Sequence, residues 1–400
     1  MKKILISLFA PFLFLSQEAF SQEQTFDLWL EELKQEAIIK GITKKTLAAT
    51  LSDLSPQPKV LELDRWQPEF SQTFTRYLKK RVTEERIARG KELLSKHQIL
   101  LKKMQGKYSV QPEYLVSFWG LESNYGDYTG GFSTIRALAT LAYDTRRSVF
   151  FRKELFAALR IIDSGHVKAD QMSSSWAGAL GQLQFMPSTF ENYGIDGNGD
   201  GKIDLWNTLE DVFASAANYL SKFGWKDNQR WGREIQLPDN FNYSLAQSSI
   251  SYSMSEWKKL GITLANGQKL PQITMTGSIV LPAGASGPAF LTHKNFRTTM
   301  VWNRSSYYAI AVGHLADRFV GGETIQNMPI NEKALSRDEI KELQQKLNKY
   351  GFDSGTVDAI LGPKTKHAIR AFQQKNKLPA DGYASHEILT LLRKQLKERY

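Results

Sequence analysis

The sequence predicts a mainly α-helical protein of two domains, and three observations carry that prediction. From residue 22 to about 225, apolar residues recur at spacings of three and four, the period of a helix with a buried face. Residues 226 to about 300 break instead into short apolar segments bounded by Gly, Pro and Asn, the pattern of small strands and loops. Past a stretch poor in large apolar residues, 321–334, a unit of about 60 residues carries helix signals of its own. A chain of 400 residues is long enough for two cores. With 42% apolar and 23% charged residues it falls in the globular class.

The first 21 residues read separately. Met1-Lys2-Lys3 is a basic start, Ile4 to Leu15 is an apolar run broken only by Ser7 and Pro11, and Ala19-Phe20-Ser21 puts small residues at the −3 and −1 positions of a cleavage site. Together they predict a secretory signal peptide, residues 1–21, with the mature chain starting at Gln22. The run is well short of the roughly 20 residues needed to span a bilayer, so no membrane anchor is expected. Cysteine is absent, which excludes disulfides and the acylated Cys of a bacterial lipoprotein. The expected location is the periplasm, in soluble form. Net charge is +11, which suits a polyanionic partner. An exported protein meets the carboxylates of the bacterial wall far more often than nucleic acid.

The elements follow in order. Pro112 suits a helix start and Gly126 a helix end. Phe151, Leu155, Leu159 and Ile162 share a helix face that Gly165 terminates. Ile235-Gln236-Leu237 and Ser278 to Leu281 are strand candidates, and the helical period returns from Ser305 to Phe319. Gly321-Gly322 to about Ala334, with Pro329, is the candidate linker. Ser336 and Glu339 then form a capping box for a helix whose face carries Ile340, Leu343 and Leu347. Pro363 opens a second helix from its first position, and Ser385 caps a third bearing Leu389 and Leu392.

Within the segment Pro112 to Gly126, Leu115, Phe118 and Glu122 lie at i, i+3 and i+7, so Glu122 projects from an apolar face. Apolar surroundings and the negative end of a helix both disfavour a carboxylate. Spacing alone therefore predicts a raised pKa for Glu122, as a general acid needs. Spacing alone is equally met by a half-solvated Glu at a helix rim. Asp127, beyond the helix end, has no direction that the sequence fixes.

Trp119-Gly120-Leu121-Glu122-Ser123-Asn124-Tyr125-Gly126 resembles the catalytic motif of the membrane-bound lytic transglycosylase B family. Three further blocks follow in the family's order. They are Leu138 to Asp144 with Arg146-Arg147, Phe150-Phe151 and Glu154-Leu155; Ser175 to Gly181 running into Gln184-Phe185-Met186-Pro187-Ser188; and Trp302-Asn303 with Ser305 and Tyr308. The resemblance implies a lysozyme-like catalytic domain with a small α/β insertion over 22–320. It implies cleavage of the β-1,4 bond between N-acetylmuramic acid and N-acetylglucosamine, leaving 1,6-anhydromuramic acid ends. Glu122 matches the catalytic acid/base, Ser175 a hydroxyl near it, and Gln184 and Asn303 residues lining the sugar groove; Trp302 and Tyr308 join the substrate-binding set. Trp302 stands where the family has Tyr, so the stacking surface is expected to survive and a hydroxyl hydrogen bond to be lost.

Residues 335–395 resemble the three-helix peptidoglycan-binding domain, through Leu343 to Leu347, Gly351-Phe352, Val357-Asp358, Gly362 to Thr365, Ala371 to Gln374 and Leu378 to Gly382. Ala359 stands where that family has Gly. The resemblance implies glycan strands of the wall as partner.

Asp196-Gly197-Asn198-Gly199-Asp200-Gly201-Lys202 matches the first half of a calcium loop, with side-chain oxygens at 1, 3 and 5 and a backbone carbonyl at 7. Position 12 is Asn207 rather than Glu. The resemblance allows a loop three residues longer, closed by Glu210. A structural calcium and a metal-free Asx- and Gly-rich turn both fit; the chemistry itself needs no cofactor. A muramidase that hydrolyses the same bond and a non-catalytic wall-binding scaffold are the competing readings. A Cys hydrolase is excluded, and no G-x-S-x-G is present.

Overall fold

The computed structural model describes residues 25–65 and 72–397. The segment 1–21, expected from the sequence to be a signal peptide, lies outside them. Among the described residues are seventeen α-helices, and no helix is long and apolar enough to cross a membrane.

The helix Pro112–Ser123 lies at the centre of the larger domain. Nine of its twelve residues are buried, on every side of the helix. The apolar stripe read from Leu115 and Phe118 is thus a correction in scope: this helix has no solvated face, which is the pattern of a core helix. It packs against the helix Ser306–Phe319, where Ser117 Oγ donates to the Val312 carbonyl at 2.7 Å. The helices Glu84–Lys96, Gln98–Tyr108 and Leu209–Lys222 surround it.

Two sheets attach to this core. The strands β1 (Phe132–Ser133) and β2 (Ser173–Ser174) pair antiparallel, Phe132 opposite Ser174. The insertion expected at 226–300 is a five-stranded antiparallel sheet made of β3 (Gly232–Gln236), β4 (Tyr252–Ser253), β5 (Thr263–Leu264), β6 (Thr276–Val280) and β7 (Ala289–Thr292). Their order is β4-β6-β7-β3-β5. The middle strand β7 is buried along its whole length. Ala289 and Leu291 pack into a small core with Trp257 and Ile279, while Phe290 joins the main core beside Trp231, as the two-residue period of a strand requires.

The segment 321–334 has no helix or strand. It is not a free tether, however. The Glu234 carboxylate accepts the backbone N–H groups of Gln326 and Asn327 at 2.8 and 2.9 Å. Three helices follow, Arg337–Lys349, Pro363–Lys375 and His386–Lys397, around a core of Ile340, Leu343, Leu347, Ile369, Phe372 and Leu389. The Ser336–Glu339 capping box is present.

Candidate active site

The central helix ends abruptly. Asn124, Tyr125 and Gly126 take φ values of 54°, 63° and 86°, a left-handed turn unfavourable for residues with a Cβ. Local bonds offset that cost. Tyr125 N–H reaches the Trp119 carbonyl, and Ser123 Oγ accepts Gly126 N–H while donating to Trp119. The buried Tyr125 Oη donates to the Arg86 carbonyl at 2.6 Å. Gly126 is required twice over, since a Cβ there would lie 2.4 Å from Gln182 Oε1.

This turn presents Glu122 half-buried at the last turn of the helix. Its Oε1 accepts two hydrogen bonds, from Trp302 Nε1 at 2.8 Å and from Tyr308 Oη at 2.5 Å. Both donors come from the 302–308 turn, where the helix Lys294–Trp302 gives way to Ser306–Phe319. Trp302 is wedged among Phe118, Phe185 and Tyr219, with ring centroids 4.5 to 5.1 Å apart. The indole supplies both an aromatic surface and a donor. Its ring packs on protein aromatics, and its N–H, rather than a hydroxyl, donates to Glu122. Tyr308 is buried, and burial first, then the Glu122 carboxylate, pushes its hydroxyl well above the usual tyrosine range. It therefore remains a donor wherever the protein is folded.

Ser175 follows β2 and enters a tight loop in which its Oγ accepts Ala179 N–H at 3.1 Å. That contact leaves the hydroxyl hydrogen as a donor. Gln184 sits at φ 50° behind the short 3₁₀ turn Gly181–Leu183. Its amide NH₂ donates to the carbonyls of Gly181 and Thr129 at 3.0 and 3.2 Å, so it ties this loop to the one after the catalytic helix. Asn303 is exposed, and its Oδ1 accepts Ser305 N–H at 3.0 Å, a turn contact that sets the approach to Tyr308. Asp127 is held by a two-pronged ion pair with Arg89 and by Asn124. Arg89 keeps its carboxyl below the usual range. It is a structural partner of that arginine.

One residue escaped the sequence reading. Gln182 is buried; its Oε1 accepts Trp119 Nε1 at 2.6 Å and its Nε2 donates to the Trp206 carbonyl at 2.7 Å. It joins the central helix to the 180–206 loops. The sequence offered no signal that set Gln182 apart from Gln184 two residues on.

A family model described as the Transglycosylase SLT domain matches residues 25–317. The chain belongs to that family. A peptidoglycan binding domain model matches residues 336–392. The fold is similar to that of SltB3 from Pseudomonas aeruginosa, at 43% identity and a TM-score of 0.90, over 92% of this chain and all of that one. SltB3 has been crystallised with NAG-anhNAM-pentapeptide and with NAG-NAM-pentapeptide. Membrane-bound lytic murein transglycosylase B of Escherichia coli K12 is 30% identical over 60% of this chain and 65% of its own length. The E. coli lytic transglycosylase Slt35 in complex with calcium aligns over 73% of this chain and 92% of its own, at 28% identity and a TM-score of 0.62.

In this transglycosylase the segment 196–204 is wound by Asx turns. Asp196 accepts the N–H groups of Gly199, Asp200 and Gly201, Asn198 accepts that of Asp200, and Asp200 accepts that of Lys202. Three of the expected side-chain ligands thus share one exposed loop. The Glu210 backbone lies beside Gly197 of that loop, and its carboxylate is within electrostatic reach of His97. The inward carboxylate is Asp211, which accepts the N–H groups of Gly197 and Asp204. Among the described residues no three His, Cys, Asp or Glu side chains converge as a metal site.

Proposed function

We propose that this protein cleaves peptidoglycan by a lytic transglycosylase reaction in which Glu122 is the single acid/base. One observation carries the reading: a carboxylate at the end of a buried helix, with two neutral donors on the same oxygen. Because Oε1 accepts both hydrogen bonds, the acid form carries its hydrogen on Oε2. That hydrogen goes to the oxygen joining N-acetylmuramic acid to N-acetylglucosamine as the C1–O bond breaks. The carboxylate then takes the proton of the C6 hydroxyl of the same muramic acid, whose oxygen bonds to C1. No water is consumed, and the nucleophile is already held within the ring. The substrate's own 2-acetamido oxygen stabilises the positive charge at C1, the role a second carboxylate plays in most glycosidases.

The position of Ser175 in the loop beside β2 suits a donor to the sugar, and Gln184 and Asn303 suit the walls of its groove. The C-terminal module supplies grip on the polymer, which raises the effective concentration of bonds at Glu122. The leader read at 1–21 and the cell-wall substrate of the relatives support a periplasmic site of action. A structural calcium on Asp196, Asn198, Asp200 and the Lys202 carbonyl, with Glu210 turning from His97 to close the site, would brace the loop beyond Gln184. Calcium calorimetry on the protein and on Asp200→Ala tests it: heat is expected only with the parent, and no heat there removes the site.

The test of the reaction is a digest of purified peptidoglycan with residues 22–400, beside Glu122→Gln, read by mass spectrometry. Products one water lighter than hydrolysed muropeptides, absent with the variant, are expected. Ordinary reducing ends would make the protein a muramidase. Binding without cleavage would make it a scaffold.

A further inference from the structure

The C-terminal module and the catalytic domain are joined through carboxylates. Glu332, in the segment before the module, accepts Phe74 N–H on Oε1 at 3.2 Å and Thr75 N–H on Oε2 at 2.9 Å. Its Oε1 also accepts the hydroxyl of Tyr383, which belongs to the module, at 2.8 Å. Beside it, Asp381 of the module accepts Ala285 N–H at 2.7 Å from the catalytic domain.

The two amides that Glu332 receives open the helix Phe74–Arg81. The next two are taken by Thr73, Arg76 N–H by its Oγ1 and Tyr77 N–H by its carbonyl. A helix leaves four N-terminal donors to be satisfied; here half of them are met by a residue some 258 positions away. The same helix faces the catalytic turn. Phe74 and Tyr77 pack on Tyr307, at 5.4 and 5.8 Å between centroids. Arg81 lies over the Tyr77 ring. Tyr77 and Arg81 both act electrostatically on Tyr308, the donor to Glu122.

We infer that Glu332 is a positioning residue of the transglycosylase site. It fixes the first turn of the Phe74–Arg81 helix, and that helix packs Phe74 and Tyr77 on Tyr307, next to Tyr308, and keeps Tyr77 and Arg81 within electrostatic reach of it. Docking of the module therefore sets the rate at Glu122 in addition to holding polymer. This rests on the reading of Glu122 as the acid/base.

The experiment uses the full mature chain and a soluble tetrasaccharide of two N-acetylglucosaminyl-N-acetylmuramic acid units, on which grip on polymer counts for little. Glu332→Gln puts an NH₂ group against a helix N–H; Tyr383→Phe removes only the module's hydroxyl. With Glu332→Gln, kcat is expected to fall about tenfold with KM within about twofold, as small misplacements of a catalytic group do. Tyr383→Phe is expected to fall less. Sedimentation with insoluble peptidoglycan and the melting temperature should stay near the parent values for both. Full kcat in Glu332→Gln overturns the inference, as does a loss of kcat that only tracks a collapsed melting temperature. Activity retained by Glu122→Gln on the same substrate would instead strike the acid/base assignment, which separates the two failures.

Discussion

Trp302 Nε1 donates to Glu122 Oε1 at 2.8 Å across 180 residues of sequence. Trp302→Phe keeps an aromatic ring against Phe118, Phe185 and Tyr219 but removes the donor. A hydrogen bond to a charged group is worth about 1.5–3 kcal/mol, so kcat/KM for anhydro-product release should fall roughly tenfold to a hundredfold. Tyr308→Phe should behave alike. Rates equal to the parent would make both contacts structural only.

Gln182 holds Trp119 and the Trp206 carbonyl together inside the core. Gln182→Leu leaves the Trp119 N–H and that carbonyl without these partners. The expected loss is about 1–3 kcal/mol for a buried group left unpaired, read by urea denaturation. Activity should fall as well, because Gly126 packs on the Gln182 side chain. A stability unchanged within error would show that the cavity readmits water to both groups.

His314 is buried, and burial first, then Arg318, lowers it to about 4 from the ordinary 6.5. The folded protein keeps this histidine neutral while the unfolded chain protonates it. Between pH 6.5 and about 4 the unfolded state binds the extra proton, so stability falls as pH drops through that window and levels off below it. The gap is worth at most about 3 kcal/mol. Melting curves of the parent and His314→Gln at pH 7 and pH 4.5 check it; the variant should lose less on acidification.

Ala359 holds φ 63° in the turn where its family has Gly, and its methyl is buried. The left-handed conformation costs an L-residue about 1–2 kcal/mol, whereas burying one methyl returns about 0.8 kcal/mol. Ala359→Gly should therefore stabilise the module by a few tenths to about 1 kcal/mol, visible as a higher melting temperature. A lower one would mean that packing of the methyl outweighs the backbone.

Local order explains what the sequence made legible. The block around Glu122 is contiguous because one helix turn and its left-handed stop must be built from neighbours, so Gly126 and Glu122 could be read together. The Arg146-Arg147 and Glu154 blocks were legible for a different reason. They are scaffold, pairing with Asp64 and capping the helix at Ser188. Contacts between distant segments left no periodic trace. Trp302 could be read as a ring but not as a donor, since that depends on which way the indole edge turns. Glu332 lies in a stretch whose composition says linker, and its partners, Phe74, Thr75 and Tyr383, are marked by nothing local.

The burial of Pro112–Ser123 on every side also bears on how the enzyme can change. The residues Leu115 to Leu121 are all buried, and exchange of their amide hydrogens with solvent is expected to require opening of the whole unit. Glu122 is therefore mounted on a helix buried on every side, and its two donors, Trp302 and Tyr308, sit on the ends of two further helices, while Ser175, Gln184 and Asn303 sit on loops or turns. New substrate preferences can be gained by remodelling those loops, one at a time, without disturbing the helix that carries Glu122.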